Sequence, residues 1–128
     1  MGKKLISPQD GPAPVGPYSP GVVANGFVFV SGQIPLHPET GQIITSNFDA
    51  QVRQVIENMR SVLKAAGADL DDVVKVTIFL SDLSNFERLN EIYSEYFGQS
   101  KPARTTVQAA RLPKNVDVEM DAIAVVQN

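Results

Sequence analysis

The chain has 128 residues and a formal net charge of −3, which suits one domain spanning residues 1–128, large enough to fold without metals or disulfides. It contains no cysteine, so disulfides, thiolate nucleophiles, Cys-ligated zinc and iron–sulfur clusters are excluded, and a reducing compartment fits. One histidine, His37, and a sequence pI near 5.0 argue against a His-based metal site, a Ser/His relay or the clustered Lys and Arg of a nucleic-acid footprint.

Lys3 and Lys4 open the chain, but the apolar run that a signal peptide needs stops at Ser7-Pro8, and no stretch approaches the roughly 20 apolar residues of a membrane span. A cytoplasmic protein with no membrane partner is expected. Residues 8–21 are dense in Pro and Gly and predict a fixed, extended loop that presents side chains such as Tyr18. Val22–Ala24 and Phe27–Ser31 are β-rich runs joined by Asn25-Gly26, a strong hairpin signal. The stretch after Ser31-Gly32, up to Thr45, reads as a surface loop, with His37 as a turn residue of no assigned role.

From Phe48 the apolar residues Val52, Val55, Ile56, Met59, Val62, Leu63 and Ala66 form one helical stripe, closed by Gly67 as a left-handed cap. Val73–Leu80 is β-branched and predicts a central strand, with Val74, Val76, Ile78 and Leu80 on its apolar side. Ser84 and Glu87 read as a capping box before a second helix with apolar positions Phe86, Leu89, Ile92, Tyr93, Tyr96 and Phe97, stopping at Gly98. Strands follow at about 103–109 and 116–126. The order β-β-β-α-β-α-β-β, its first strand near Lys4–Ser7, predicts an α+β fold with two helices on one face of a sheet. The other face, expected to carry Phe79, Ile123 and Val125, lacks a cover and is most simply buried against another copy of the chain.

Four places could carry chemistry. Arg104, near a strand start after Pro102, is either a solvated strand-end cation or an anion clamp, since guanidinium matches a carboxylate with two parallel hydrogen bonds. Glu119 is either one acid of a wet strand face or a general base kept ionised by Arg104 on an adjacent antiparallel strand. Ser31 and Gly32 end a strand where a hydroxyl and an uncrowded N–H suit a ligand site, although strand-end Ser-Gly is more often ordinary turn chemistry. Tyr18 is a packing residue or a pocket residue. Nucleotide-loop, HExxH and GxSxG signatures are absent from the sequence.

GPYSPG, SGQIP, the AAG ending the first helix, PARTTV, ARLP and VEMDAIA together resemble the RidA/YjgF family in order and spacing over nearly the whole chain. The resemblance implies a chorismate-mutase-like α+β fold and a homotrimer with active sites between subunits. It also implies hydrolysis of 2-aminoacrylate, 2-iminobutanoate and 2-iminopropanoate to 2-keto acids and ammonia, with no cofactor. Carried over by motif, Arg104 would hold the substrate carboxylate, Glu119 would activate water, and Ser31 with Gly32 would line the pocket. Tyr18, Asn90 and Thr106 match further pocket positions. Many relatives carry cysteine where Thr106 stands, which excludes a thiol role here, and the loop between Phe97 and Pro102 is shorter than in some of them. The alternatives are a non-catalytic or regulatory binder of 2-keto acids or amino acids and, less favoured, the ribonuclease or translation-inhibitor activity ascribed to some members. No nucleic-acid partner is expected.

Overall fold

Asn25 and Gly26 have positive φ values of 52° and 81°, the pair of left-handed conformations that a tight two-residue hairpin requires and that Asn and Gly adopt at least cost. They join β2 (Gly21–Ala24) to β3 (Phe27–Gln33), and β1 (Lys4–Ile6) pairs along the outer edge of β2. The computed structural model describes residues 2–126; Met1, Gln127 and Asn128, the ends of the expected 1–128 span, lie outside the described residues.

Helix α1 (Phe48–Ala65) starts where Asn47 Oδ1 accepts the Ala50 N–H at 2.8 Å and closes at Gly67, φ 84°. Beyond it the Ala68 N–H reaches back to the Leu63 carbonyl at 2.9 Å, satisfying a carbonyl that the helix end would orphan. The stripe Val52, Val55, Ile56, Met59, Val62 and Leu63 is buried as expected. Strand β4 (Val73–Leu80), helix α2 (Phe86–Phe97), β5 (Ala103–Gln108) and β6 (Val118–Val125) complete the regular elements.

Two local expectations change. The Ser84–Glu87 capping box does not form: Asp82 Oδ1 takes the Ser84 N–H at 2.9 Å, starting a 3-10 turn, and α2 begins only at Phe86 with no side-chain cap. Val74 does not join the apolar side of β4, because the β4–β6 register shifts between Val73 and Lys75. Such a bulge gives one core position to two residues; Val73 takes it and Val74 is 42% exposed.

The sheet runs β1-β2-β3-β6-β4-β5, antiparallel throughout except for the parallel pair β4–β5. Val28, Val30, Val76, Ile78, Leu80, Val118, Met120, Ala122 and Ala124 line its helix-covered face and are buried in the main core, giving the expected α+β arrangement. On the other face Leu5, Phe27, Phe29 and Val107 are exposed. Phe79 is only partly so: it packs against a second small core of Ile34, Leu36, Leu112 and Val116, so the loops after β3 and β5 already cover that end of the face. Among the described residues no helix is long and apolar enough to cross a membrane.

Two buried amides of α1 fasten these loops. Asn58 Nδ2 donates to the carbonyls of Ile34 and Leu36 at 3.2 and 2.9 Å, while Gln51 Oε1 accepts the Asp117 N–H at 2.9 Å. Asn58 is 2% exposed, so Asn58→Ala removes two hydrogen bonds in a place water reaches poorly: the Leu36 carbonyl loses its partner, while the Ile34 carbonyl keeps the Leu36 N–H at 2.7 Å. We expect a loss of roughly 2 to 4 kcal/mol in urea unfolding; a loss below about 0.5 kcal/mol would mean that water takes over both bonds.

Candidate active site

In the parallel β4–β5 ladder Arg104 lies beside Val76 and Thr106 beside Ile78. Both neighbours are buried under the helices, and paired residues share a face, so Arg104 and Thr106 point toward α2. Phe86, Asn90 and Tyr93 are spaced four and three residues apart, which stacks them on one side of that helix. They cradle the guanidinium: Nη2 donates to Asn90 Oδ1 at 2.7 Å, and Cζ lies 4.8 Å from the Tyr93 ring centre and 5.5 Å from that of Phe86. Phe86, expected in the core stripe, is instead 39% exposed at the helix start beside Arg104.

The cradle is made of aromatic faces and an amide, which position a cation without neutralising it. Among the described residues Arg104 forms no ion pair with a carboxylate. The hydroxyls of Tyr93 and Thr106 are buried without a hydrogen-bond partner. Burial pushes the Tyr93 phenol up to about 12, with the Arg104 charge opposing that shift, so it stays a donor at neutral pH. Beside this group opens a cleft of about 340 Å³, reaching from Asn90 and Arg104 to Lys101.

Glu119 lies on the opposite face. It pairs across the ladder with Phe79, and its carboxylate rests against Gly32 so closely that a Cβ there would overlap it. The β3–β6 register shifts between Val30 and Gln33, and this bulge at Ser31-Gly32 brings the bare backbone to the carboxylate. Burial pushes the Glu119 carboxyl above the usual glutamate value, and the charge of Asp121 pushes the same way. Ser31 Oγ donates to the Ser19 carbonyl at 2.6 Å and Ser31 N to the Pro20 carbonyl at 2.9 Å, fastening the Pro-rich loop. Tyr18, exposed on that loop, lines a small hollow with Pro12, Pro14, Gln33 and Leu36.

The sequence-derived site therefore divides in two. Arg104, Asn90 and Thr106 gather at the α2–β5 edge; Tyr18, Ser31, Gly32 and Glu119 gather at the β3–β6 end. The expected adjacency of Arg104 and Glu119 is overturned within the chain, since β4 lies between their strands and they face opposite sides of the sheet. No arginine of the same chain holds Glu119 in its ionised form; burial does the reverse. The Ser31 hydroxyl hydrogen is committed to the loop, leaving only its lone pairs for a ligand. His37 Nδ1 accepts the N–H groups of Glu39 and Thr40 at 3.2 and 3.4 Å, the turn role expected of it. Tyr93 was legible only as a core position. Its spacing from Asn90 and Phe86 carried the signal, once Arg104 was known to face that helix.

The α+β sheet thus carries an uncompensated arginine under one helix and a desolvated carboxylate at a glycine bulge on its other face, and the two do not meet in one chain. Residues 8–126 match the family model described as Endoribonuclease L-PSP. The chain is 52% identical to a RutC family protein of Pyrococcus abyssi over 97% of this chain and 98% of that one. It is 47% identical to Reactive Intermediate Deaminase A, chloroplastic, of Arabidopsis thaliana over 95% of this chain and 65% of that one. The crystal structure of E. coli TdcF with bound serine superposes with a TM-score of 0.91 at 42% identity, covering 97% of this chain and 99% of that one. The chain belongs to the RidA/YjgF family.

A raised carboxyl pKa favours folding below the unfolded value of 4.5, and that contribution is lost as pH rises through the folded value. Asp121→Asn removes the like charge, so the Glu119 midpoint, followed by carboxyl-carbon NMR, moves down and the loss of stability from acid to neutral pH shrinks. An unchanged midpoint would leave burial as the sole cause.

Proposed function

We propose that this protein hydrolyses reactive imines and enamines of short 2-amino acids, such as 2-aminoacrylate, 2-iminopropanoate and 2-iminobutanoate, to 2-keto acids and ammonia. It acts in the cytoplasm, at sites shared between copies of a homotrimer. The observation that carries this reading is the division just described: an uncompensated Arg104 on one face of the sheet and a desolvated Glu119 on the other. A head-to-tail assembly lets the Arg104 edge of one copy meet the Glu119 end of the next, and a closed ring repeats that contact at every interface. The exposed Leu5, Phe27, Phe29 and Val107 offer apolar surface for such packing.

In the assembled site Arg104 takes the substrate carboxylate with its planar fork. The imine carbon is already electrophilic, so orientation and a base suffice and no cofactor is needed. Starting from the protonated imine, Glu119 accepts a proton from water as the water oxygen bonds to C2, and the C=N electron pair moves to nitrogen, giving a neutral carbinolamine. The tetrahedral carbinolamine collapses as Glu119 passes its proton to the amine nitrogen and takes the hydroxyl proton in exchange: the C–N bond breaks, the C2 carbonyl forms, and ammonia carries that proton away as ammonium. An enamine enters the same path after protonation at C3. A carboxyl with a raised pKa suits both halves of this cycle, since it accepts the proton and returns it.

The name of the Arabidopsis relative supports this activity. The serine bound in TdcF favours a second reading, a metabolite-binding protein without catalysis. Against it, a buried carboxylate next to a ligand's own carboxylate would weaken simple anion binding. An endoribonuclease, the description attached to the family model, is disfavoured by the acidic balance and the lack of a basic, aromatic strip in the sequence.

With a dehydratase generating the imine and keto-acid release as the readout, Glu119→Gln should slow hydrolysis by about 10² to 10⁴-fold while keto-acid affinity holds or tightens. Arg104→Ala should abolish keto-acid binding, a loss of roughly 2 to 5 kcal/mol, with little rescue by lysine. Refolding the two inactive variants together at equal amounts should restore activity at about a quarter of the interfaces, those pairing an intact Arg104 with an intact Glu119. No recovery would place both residues in one chain's site. An unaltered spontaneous rate with the unmodified protein would sink the enzyme reading itself.

A further inference from the structure

The cleft beside Arg104, at about 340 Å³, falls within the range of small-molecule sites. Its walls include Asn90, Tyr93 and Phe97 of α2, Lys101 and Pro102 of the connecting loop, and Arg104 of β5. The charged groups of this lining are both cations, in a chain whose net charge is −3. Elsewhere Arg53, Arg60, Lys64 and Arg88 are paired with carboxylates, whereas among the described residues neither Lys101 nor Arg104 is. Tyr93, only 8% exposed, brings to the same cleft a hydroxyl with no partner.

The position of Lys101 is fixed by its backbone. Its N–H donates to the Phe97 carbonyl at 2.9 Å, and its φ is 47°, a left-handed conformation that a lysine adopts at some cost. Lys101 and Arg104 are three residues apart, so their backbones lie at most about 10 Å from each other. Two long side chains converging from that separation can each hold one end of a short diacid.

We propose that this cleft makes 2-imino acids bearing a second carboxylate the preferred substrates. This rests on the deaminase reading of the same site and names its substrate class. Arg104 holds the carboxylate on C1, the Tyr93 ring and Pro102 carry the methylene chain, and Lys101 meets the distal carboxylate. A monocarboxylic substrate uses the same Arg104 and leaves Lys101 in solvent.

The keto acids are stable counterparts of the imines, so the test is calorimetric binding of 2-oxoglutarate and 2-oxobutanoate to the assembled protein at low salt. The diacid should bind at least about fivefold more tightly, the scale of one added charge-assisted contact in a half-open cleft. Lys101→Asn keeps a residue that tolerates the left-handed backbone and should bring the ratio of the two affinities toward one; Lys101→Arg should preserve it. Equal affinities in the unmodified protein, or an undiminished ratio in Lys101→Asn, would overturn the proposal. If that happens while 2-oxobutanoate binds and its imine is hydrolysed, only the substrate class falls. If neither keto acid binds and no imine is hydrolysed, the deaminase reading fails and this inference with it.

Discussion

The parallel pairing of β5 with β4 governs the rest of the structure. Parallel neighbours cannot be joined by a tight turn, so the chain must cross over through α2, and that helix necessarily comes to lie over the β4–β5 edge. Because β5 occupies one side of β4, the other side is left for β6, which enters between β3 and β4 as the last element. Its inward residues Val118, Met120, Ala122 and Ala124 then fill the middle of the core, almost without exposure. The final strand thus closes the sheet by joining β3 to β4.

The same pairing fixes the electrostatics of the site. Beside Val76, Arg104 must point to the helix side, where α2 offers rings and an amide instead of a carboxylate. Two of the three acids of α2 are engaged elsewhere, Glu95 with Arg53 at 2.7 Å and Glu91 with Arg88 at 3.3 Å, and among the described residues the third, Glu87, forms no ion pair with Arg104. These exposed pairs contribute little to stability, but they leave the charge of Arg104 available to a ligand. On the opposite face the bulge at Ser31-Gly32 lets Glu119 sit against bare backbone, half-buried, at the cost of desolvating its charge. Two features unfavourable to the isolated chain, an uncompensated cation and a desolvated anion, are what a site between copies would reconcile.

Loop positions depend on amides rather than on charge. Asn58 and Gln51 reach out of α1 to hold the segments after β3 and before β6, and Ser31 holds the Pro-rich loop through Ser19 and Pro20. A polar side chain in a helix stripe looks like an interruption of the apolar pattern, yet here each satisfies backbone groups that no sheet or helix would satisfy. Ser31 in particular combines a structural bond with a place beside the proposed site, which explains why local composition left both roles open.

Much of the fold was legible because its signals are local. The Asn25-Gly26 hairpin, the α1 stripe from Phe48 with its close at Gly67 and the alternation of β6 follow from the φ values that few residues tolerate and from periods of 3.6 and 2. The candidate site residues were named through motifs whose order resembles a family to which the chain belongs. Tertiary structure alone decided strand order, and with it the separation of Arg104 from Glu119, the aromatic cradle around Arg104 and the outward turn of Val74 at its bulge. Those features depend on which strand captures which edge, a competition among long-range pairings settled by the burial of whole faces at once, and no short stretch of sequence carries a record of it.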